Sequence, residues 1–123
     1  MFIKSIVDND GDGFEYDVIV SDGSHDMLCF AYDKFDINSE FILRTWDPQD
    51  VKKSSRHEYL LYKEAEYYQY RICAKILDMK KDLMTVYGIM FIFDSTYPPD
   101  VKEGDYIVFT ECRMDVLHNT KEF

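Results

Sequence analysis

The sequence predicts a mainly β protein: a small antiparallel barrel of short strands, with at most one short helix. Three observations carry this. Between Tyr68 and Leu117 apolar residues recur with period two or run unbroken, which is strand spacing. Ten Tyr and nine Phe in 123 residues supply flat rings that suit a pleated surface. The 5 Gly and 3 Pro fall between the apolar runs, where turns are needed.

The stretch from Tyr68 to Leu117 reads as three consecutive strands. Tyr68, Tyr70, Ile72, Ala74 and Ile76 alternate with Gln69, Arg71, Cys73, Lys75 and Leu77. A turn at Asp78-Met79-Lys80-Lys81-Asp82 reverses the chain. Leu83 to Phe93 is apolar on both parities, which predicts one long strand buried on both faces or closed inside a barrel. Gly88 in the middle of that run predicts a bend at a barrel corner. The third strand starts at Tyr106-Ile107-Val108-Phe109, after Pro98-Pro99 and Lys102-Glu103-Gly104-Asp105.

The first third is also a meander. Phe2–Val7 is a strand, and Asp8-Asn9-Asp10-Gly11-Asp12-Gly13 is dense in turn formers. Tyr16, Val18 and Val20 alternate with Asp17, Ile19 and Ser21 as a second strand. Asp22-Gly23-Ser24 is a hairpin signal before a third strand, Met27–Tyr32. Phe41–Trp46 is a fourth, stopped by Asp47-Pro48. Val51–His57 is polar and reads as a loop. Glu58–Tyr62 reads as a short strand, with a turn near Glu64. A one- or two-turn helix across Glu58–Tyr67 is the competing reading, because Lys63-Glu64-Ala65-Glu66 has good helical propensity.

The order of strand, turn, long strand, Pro-rich loop and Glu103-Gly104-Asp105-Tyr106-Ile107-Val108-Phe109 is similar in pattern to the closing half of an oligonucleotide/oligosaccharide-binding barrel, so the expected architecture is OB-fold-like. A β-sandwich is the alternative. Closure removes the sheet edges that aromatic strands would expose to aggregation. The chain suits one domain, residues 1–123, with a single core.

Charge bounds the partners. Twenty-four acidic residues against fourteen basic ones give a net charge of −10. That sign opposes binding to a nucleic-acid backbone or an anionic membrane and favours a basic protein. No apolar run reaches membrane-spanning length, and the first residues lack the apolar region of a signal peptide. Cys29, Cys73 and Cys112 sit in apolar runs without C-x-x-C spacing, which reads as buried reduced thiols in a cytoplasmic protein.

The sharpest motif is Asp8-Asn9-Asp10-Gly11-Asp12-Gly13, the D-x-D-x-D-G opening of a calcium loop. Asp8, Asp10 and Asp12 are its candidate Ca2+ ligands. Position twelve of such a loop holds a bidentate Glu, and here it is Ile19, so a solvated hairpin turn is the simpler reading. His25, His57 and His118 have no partner at catalytic or ligand spacing beyond Asp22 and Asp26 beside His25. Glu111, Arg113 and Asp115 share a parity, which predicts a same-face ion-pair ladder on a solvated sheet face. Glycine-rich phosphate loops, H-E-x-x-H helices and G-x-S-x-G elbows are absent from the sequence.

The one local basic patch is Lys52-Lys53 to Arg56-His57, followed by Tyr59 and Tyr62. With Trp46 these make the candidate binding surface: Trp46, Lys52, Lys53, Arg56, Tyr59 and Tyr62. Tyr67 and Tyr68 extend its aromatic content. Trp and Tyr are favoured at interfaces because they bury area at low entropy cost. The expected function is a non-catalytic binding module with an acidic surface for a basic protein partner, such as an immunity-type antagonist that masks a nuclease toxin. The alternative is an OB-like barrel that binds an oligosaccharide or a single-stranded nucleic acid through the Lys52–Tyr62 region.

Overall fold

The computed structural model describes residues 1–9, 11, 13–64 and 68–119, and among these there are eleven strands and no helix. In chain order they are β1 (Phe2–Asp8), β2 (Tyr16–Ser21), β3 (Asp26–Ala31), β4 (Phe41–Thr45), β5 (Gln49–Lys53) and β6 (Leu60–Lys63), then β7 (Tyr70–Asp78), β8 (Leu83–Val86), β9 (Ile89–Ile92), β10 (Tyr106–Glu111) and β11 (Met114–His118). All join one sheet in the order β1-β2-β3-β11-β4-β9-β8-β7-β10-β5, with β6 paired to β7 beside that path. The mainly β expectation holds. No helix is long and apolar enough to cross a membrane among the described residues.

Strand β7 is the hub. One of its edges carries β10 from Tyr70 to Lys75. Its other edge is shared, with β6 opposite Tyr70–Cys73 and β8 opposite Lys75–Asp78. Alternation explains the core. Ile72, Ala74 and Ile76 of β7 turn inward with Ile107 and Phe109 of β10, and all are buried. The Phe109 ring lies 6.0 Å from Phe91 and 5.4 Å from Phe93. Val18, Val20, Met27 and Leu43 complete the interior from β2, β3 and β4. Each such side chain contributes roughly 1.5–3 kcal/mol of burial.

Several expectations need correction. The sheet is mixed and not purely antiparallel: β11 meets β3 in parallel at Asp115 and Phe30, and β4 meets β9 in parallel at Arg44 and Ile92. Its end strands β1 and β5 are not paired to each other, so the described ladder is open. The run Leu83–Phe93 is two strands, not one. A two-residue turn at Tyr87-Gly88 sets Val86 against Ile89, with Tyr87 in the left-handed region at φ 51°. The turn shifts the inward parity from Met84 and Val86 to Ile89, Phe91 and Phe93, which is why the run looked apolar on both sides. Gly88 therefore serves a turn, not a strand bend.

The same shift occurs at Cys112-Arg113, which separates β10 from β11. Inward positions pass from Ile107, Phe109 and Glu111 to Met114 and Val116. Of the predicted ladder of Glu111, Arg113 and Asp115, the Arg113–Asp115 pair forms at 2.7 Å, but the face is not solvated and Glu111 is not part of it, because Glu111 is 1% and Asp115 9% exposed. Part of the predicted Val51–His57 loop is strand β5, paired to β10 across a bulge at Asp50 (φ 53°). Its polar sequence suits an edge strand, where lysines discourage further pairing. Cys29 and Cys73 are buried as expected, whereas Cys112 at the β10–β11 corner is exposed. The Glu58–Tyr62 reading matches β6, while Ala65–Tyr67 lie outside the described residues.

Candidate functional site

The candidate site is built where three strands distant in sequence end together. Inward alternation along β10 places Glu111 in the interior. Its Oε1 accepts backbone N–H bonds from Arg113 (3.1 Å), Trp46 (3.3 Å) and Asp47 (3.4 Å). These amides lie at the β10–β11 corner and just past the end of β4, and the Trp46 amide is shared with the Arg113 carbonyl at 3.3 Å. Glu111 Oε2 is also buried and has no hydrogen-bond partner among the described residues. Burial pushes the Glu111 carboxyl up to about 7, against the pull of the three amides, and the Asp115 charge pushes the same way.

Arg113 organises the outside of this corner. Its guanidinium holds Asp115 through two bonds, Nε to Oδ1 at 2.7 Å and Nη2 to Oδ2 at 3.2 Å. Nη1 donates to the Tyr32 hydroxyl at 3.4 Å. The guanidinium carbon stands 4.5 Å from the Phe30 ring centre, 4.6 Å from Trp46 and 5.4 Å from Tyr32. Such contacts are each worth about 0.5–2 kcal/mol and fix the rings in place. Phe30 is buried, but Tyr32 is 60% and Trp46 55% exposed. The result is a pair of wet aromatic side chains on a rigid support. Asp33 and Asp47, both exposed, follow them in the chain.

The sequence-predicted residues fall in two places. Trp46 belongs to the Arg113 cluster. Its backbone is held at the Glu111 end of β10, whereas the Tyr59 ring lies 5.4 Å from Tyr106 at the opposite end of that strand. Lys52, Arg56, Tyr59 and Tyr62 gather on or beside the outer face of β6-β7-β10-β5. Register aligns Leu60, Cys73, Val108 and Lys52 in one row across that face, and Tyr62, Arg71 and Thr110 in the next. The Ser54–Tyr59 connection crosses the face from β5 to β6. His57 stacks on Tyr106 at 5.3 Å, and Arg56, Glu58, Tyr59, Cys73 and Val108 help line a depression of about 220 Å³. Lys52 pairs with Asp50 at 3.1 Å. Lys53 points to the other side of β5 and pairs with Asp105 at 3.5 Å.

In the acidic loop, Asp8 is exposed and its Oδ1 accepts the Gly11 amide at 3.0 Å, as a turn residue does. Asp10 and Asp12 lie outside the described residues. No group of His, Cys, Asp and Glu is placed to hold a metal among the described residues. Asp17 does return to this loop, accepting from Asn9 at 2.8 Å and from the Tyr68 hydroxyl.

Sequence reasoning missed Tyr32, Arg113 and Glu111 as site residues. One signal was available for Glu111, since it shares a parity with Ile107 and Phe109 and so faces inward with them. Nothing in the order of residues links Tyr32, Trp46 and Arg113. Comparison with protein-family models, curated proteins and solved structures returned no match to this chain.

Proposed function

We propose that this protein is a non-catalytic binding module that docks a basic protein through the Trp46–Tyr32 surface. The observation that carries the reading is the exposure of these two rings, both in contact with the Arg113 guanidinium that Asp115 holds. Trp, Tyr and Arg are the residues over-represented among interface hot spots, and rings already held in place lose little entropy on docking. Asp33, Asp47 and the net charge of −10 set the sign of the partner's field. An acidic antagonist that masks a basic enzyme in the cytoplasm, in the manner of an immunity protein, fits these terms.

The test is association kinetics with candidate basic proteins recovered by capture. The rate should fall steeply as salt rises, because opposite fields steer the encounter. Capture supports the reading only if Trp46→Ala abolishes it. A salt-independent rate, or capture that survives Trp46→Ala with Tyr32→Ala, refutes it.

A second reading places an oligosaccharide or single-stranded nucleic acid on the outer face of β6-β7-β10-β5. The gathering of Lys52, Arg56, Arg71, Tyr59 and Tyr62 there favours it. Titration with oligonucleotides and oligosaccharides decides between the two. Binding lost in Tyr62→Ala but retained in Trp46→Ala selects the second.

A further inference from the structure

We propose that Glu111 is the positioning residue of the Trp46–Tyr32 surface: its buried carboxyl, as the neutral acid, holds the Trp46–Asp47 segment against the β10–β11 corner, and its ionisation releases that segment. The inference rests on the reading of Trp46 and Tyr32 as a docking surface, but its test needs no partner.

The geometry supplies the argument. A carboxylate spreads its charge over two oxygens. Here Oε1 has three amide donors and Oε2 is sealed with none among the described residues. A neutral acid tolerates that asymmetry better than an anion, because an unpartnered charge in a poorly polarisable interior costs far more than an unpartnered hydroxyl. Beyond those three amides the surroundings do not help the anion. Asp115 faces it from β11, and Arg113 spends its guanidinium on Asp115. The Cys29 thiol faces it from β3, held neutral by its own burial. From the end of β4 come the Trp46 and Asp47 amides, with the Asp47 side chain in solvent.

The relief available to an ionised Glu111 is water, and one side of its enclosure can yield. The Arg113 bond comes from two residues along the same corner and is the shortest of the three. The Trp46 and Asp47 bonds are longer and come from a segment whose side chains are already exposed. Opening that segment hydrates the carboxyl and returns it toward an ordinary acidity. The closed arrangement therefore binds the proton more tightly than the open one, and raising pH must favour the open one. A raised carboxyl near neutrality agrees with this direction. Release costs the surface its rigidity, since the Trp46–Asp47 segment loses its anchor on Glu111 and is left with the bond from the Trp46 amide to the Arg113 carbonyl at 3.3 Å, while Tyr32 keeps the Arg113 bond.

Amide exchange and the emission of Trp46, the one tryptophan of the chain, test the inference together. In the wild type, protection of the Trp46 and Asp47 amides should fall through a single transition centred near pH 7, after correction for intrinsic exchange. Acrylamide quenching of Trp46 should rise in step. Glu111→Gln keeps shape and stays neutral, so the transition should be lost and the acid-side values held throughout. Asp115→Asn removes the neighbouring negative charge and frees Arg113, so the transition should move to lower pH. If Glu111→Gln fails to fold, the wild type and Asp115→Asn still decide. A wild-type response that is flat across neutrality, a transition that persists in Glu111→Gln, or one unmoved in Asp115→Asn overturns the inference. Failure of partner capture alone leaves these readouts untouched and bears only on the docking surface.

Discussion

The Asp22 carboxylate accepts the backbone amide of Gly88 at 2.9 Å, across 66 positions of sequence. This bond joins the β2–β3 turn to the β8–β9 turn. The other oxygen of Asp22 caps its own turn, accepting from Ser24 at 2.8 Å and His25 at 2.7 Å. His25 completes the junction by stacking on Tyr87 with ring centres 3.6 Å apart. Two loops that alternation alone would leave loose are thus one unit.

Gly88 is required by this approach. A Cβ there would lie 2.7 Å from Asp22 Cβ, inside any tolerable contact. Gly88→Ala should destabilise the fold by roughly 1–3 kcal/mol, the usual cost of overpacking, and should lower the thermal midpoint. A null effect of Gly88→Ala would mean the turns are not in contact.

Asp22 makes acid stability predictable in direction. The Ser24 and Gly88 amides hold its carboxyl well below the ordinary 3.8. A depressed carboxyl contributes stability above its unfolded value and loses it as pH falls through the folded one. Asp22→Asn should therefore lie below the wild type in chemical-denaturation midpoint near neutrality and converge on it in strong acid.

Glu111 works in the opposite sense. Its carboxyl is raised from 4.5 to about 7. Stability from the bound proton is fully present below 4.5 and is lost as pH rises through about 7. The wild type should lose on the order of 3 kcal/mol across that window, and Glu111→Gln should be flatter there. Denaturation curves of both proteins on either side of neutrality measure the difference.

Arg113 and Asp115 are mostly buried and paired, with side chains 19% and 12% exposed. Removing one partner strands the other. Arg113→Met alone should cost roughly 3–5 kcal/mol. Arg113→Met with Asp115→Leu should cost less than the single change, because no orphan charge remains. A double-mutant cycle by thermal denaturation checks this; equal losses would show that ring packing, not charge, dominates.

Thiol reactivity should divide the cysteines. Cys112 is exposed, whereas burial pushes the Cys29 and Cys73 thiols up and keeps reagent away. One thiol should react quickly with a disulfide reagent in the native protein and three after denaturation, with Cys112→Ser removing the fast phase.

Alternation made β2, β3 and β7 legible, because each keeps one parity from end to end. It failed where a short corner changed the parity within an apolar run. Tyr87-Gly88 lacks the Asn-Gly or Asp-Gly signal of a tight hairpin, since Tyr87 itself takes the left-handed conformation. Strand β5 was hidden because an edge strand has no continuous apolar face, and only Val51 of its five residues is half-buried. Half of the site was visible as Trp46. Its support was not, because Phe30, Glu111 and Arg113 reach it from other strands, and single-sequence spacing carries no information about which strands become neighbours.

Strand β11 also has a temporal meaning. It lies between β3 and β4, and among the described strands no other pairing connects the β1–β3 meander to the rest of the sheet. A nascent chain leaving the ribosome can assemble that meander early, yet no strand pairing joins it to the rest of the sheet until residues 114–118 emerge. Completion of the sheet therefore waits on β11, and a chain lacking those residues would hold its two sets of strands together by side-chain packing and the Asp22–Gly88 turn contact, without a shared ladder.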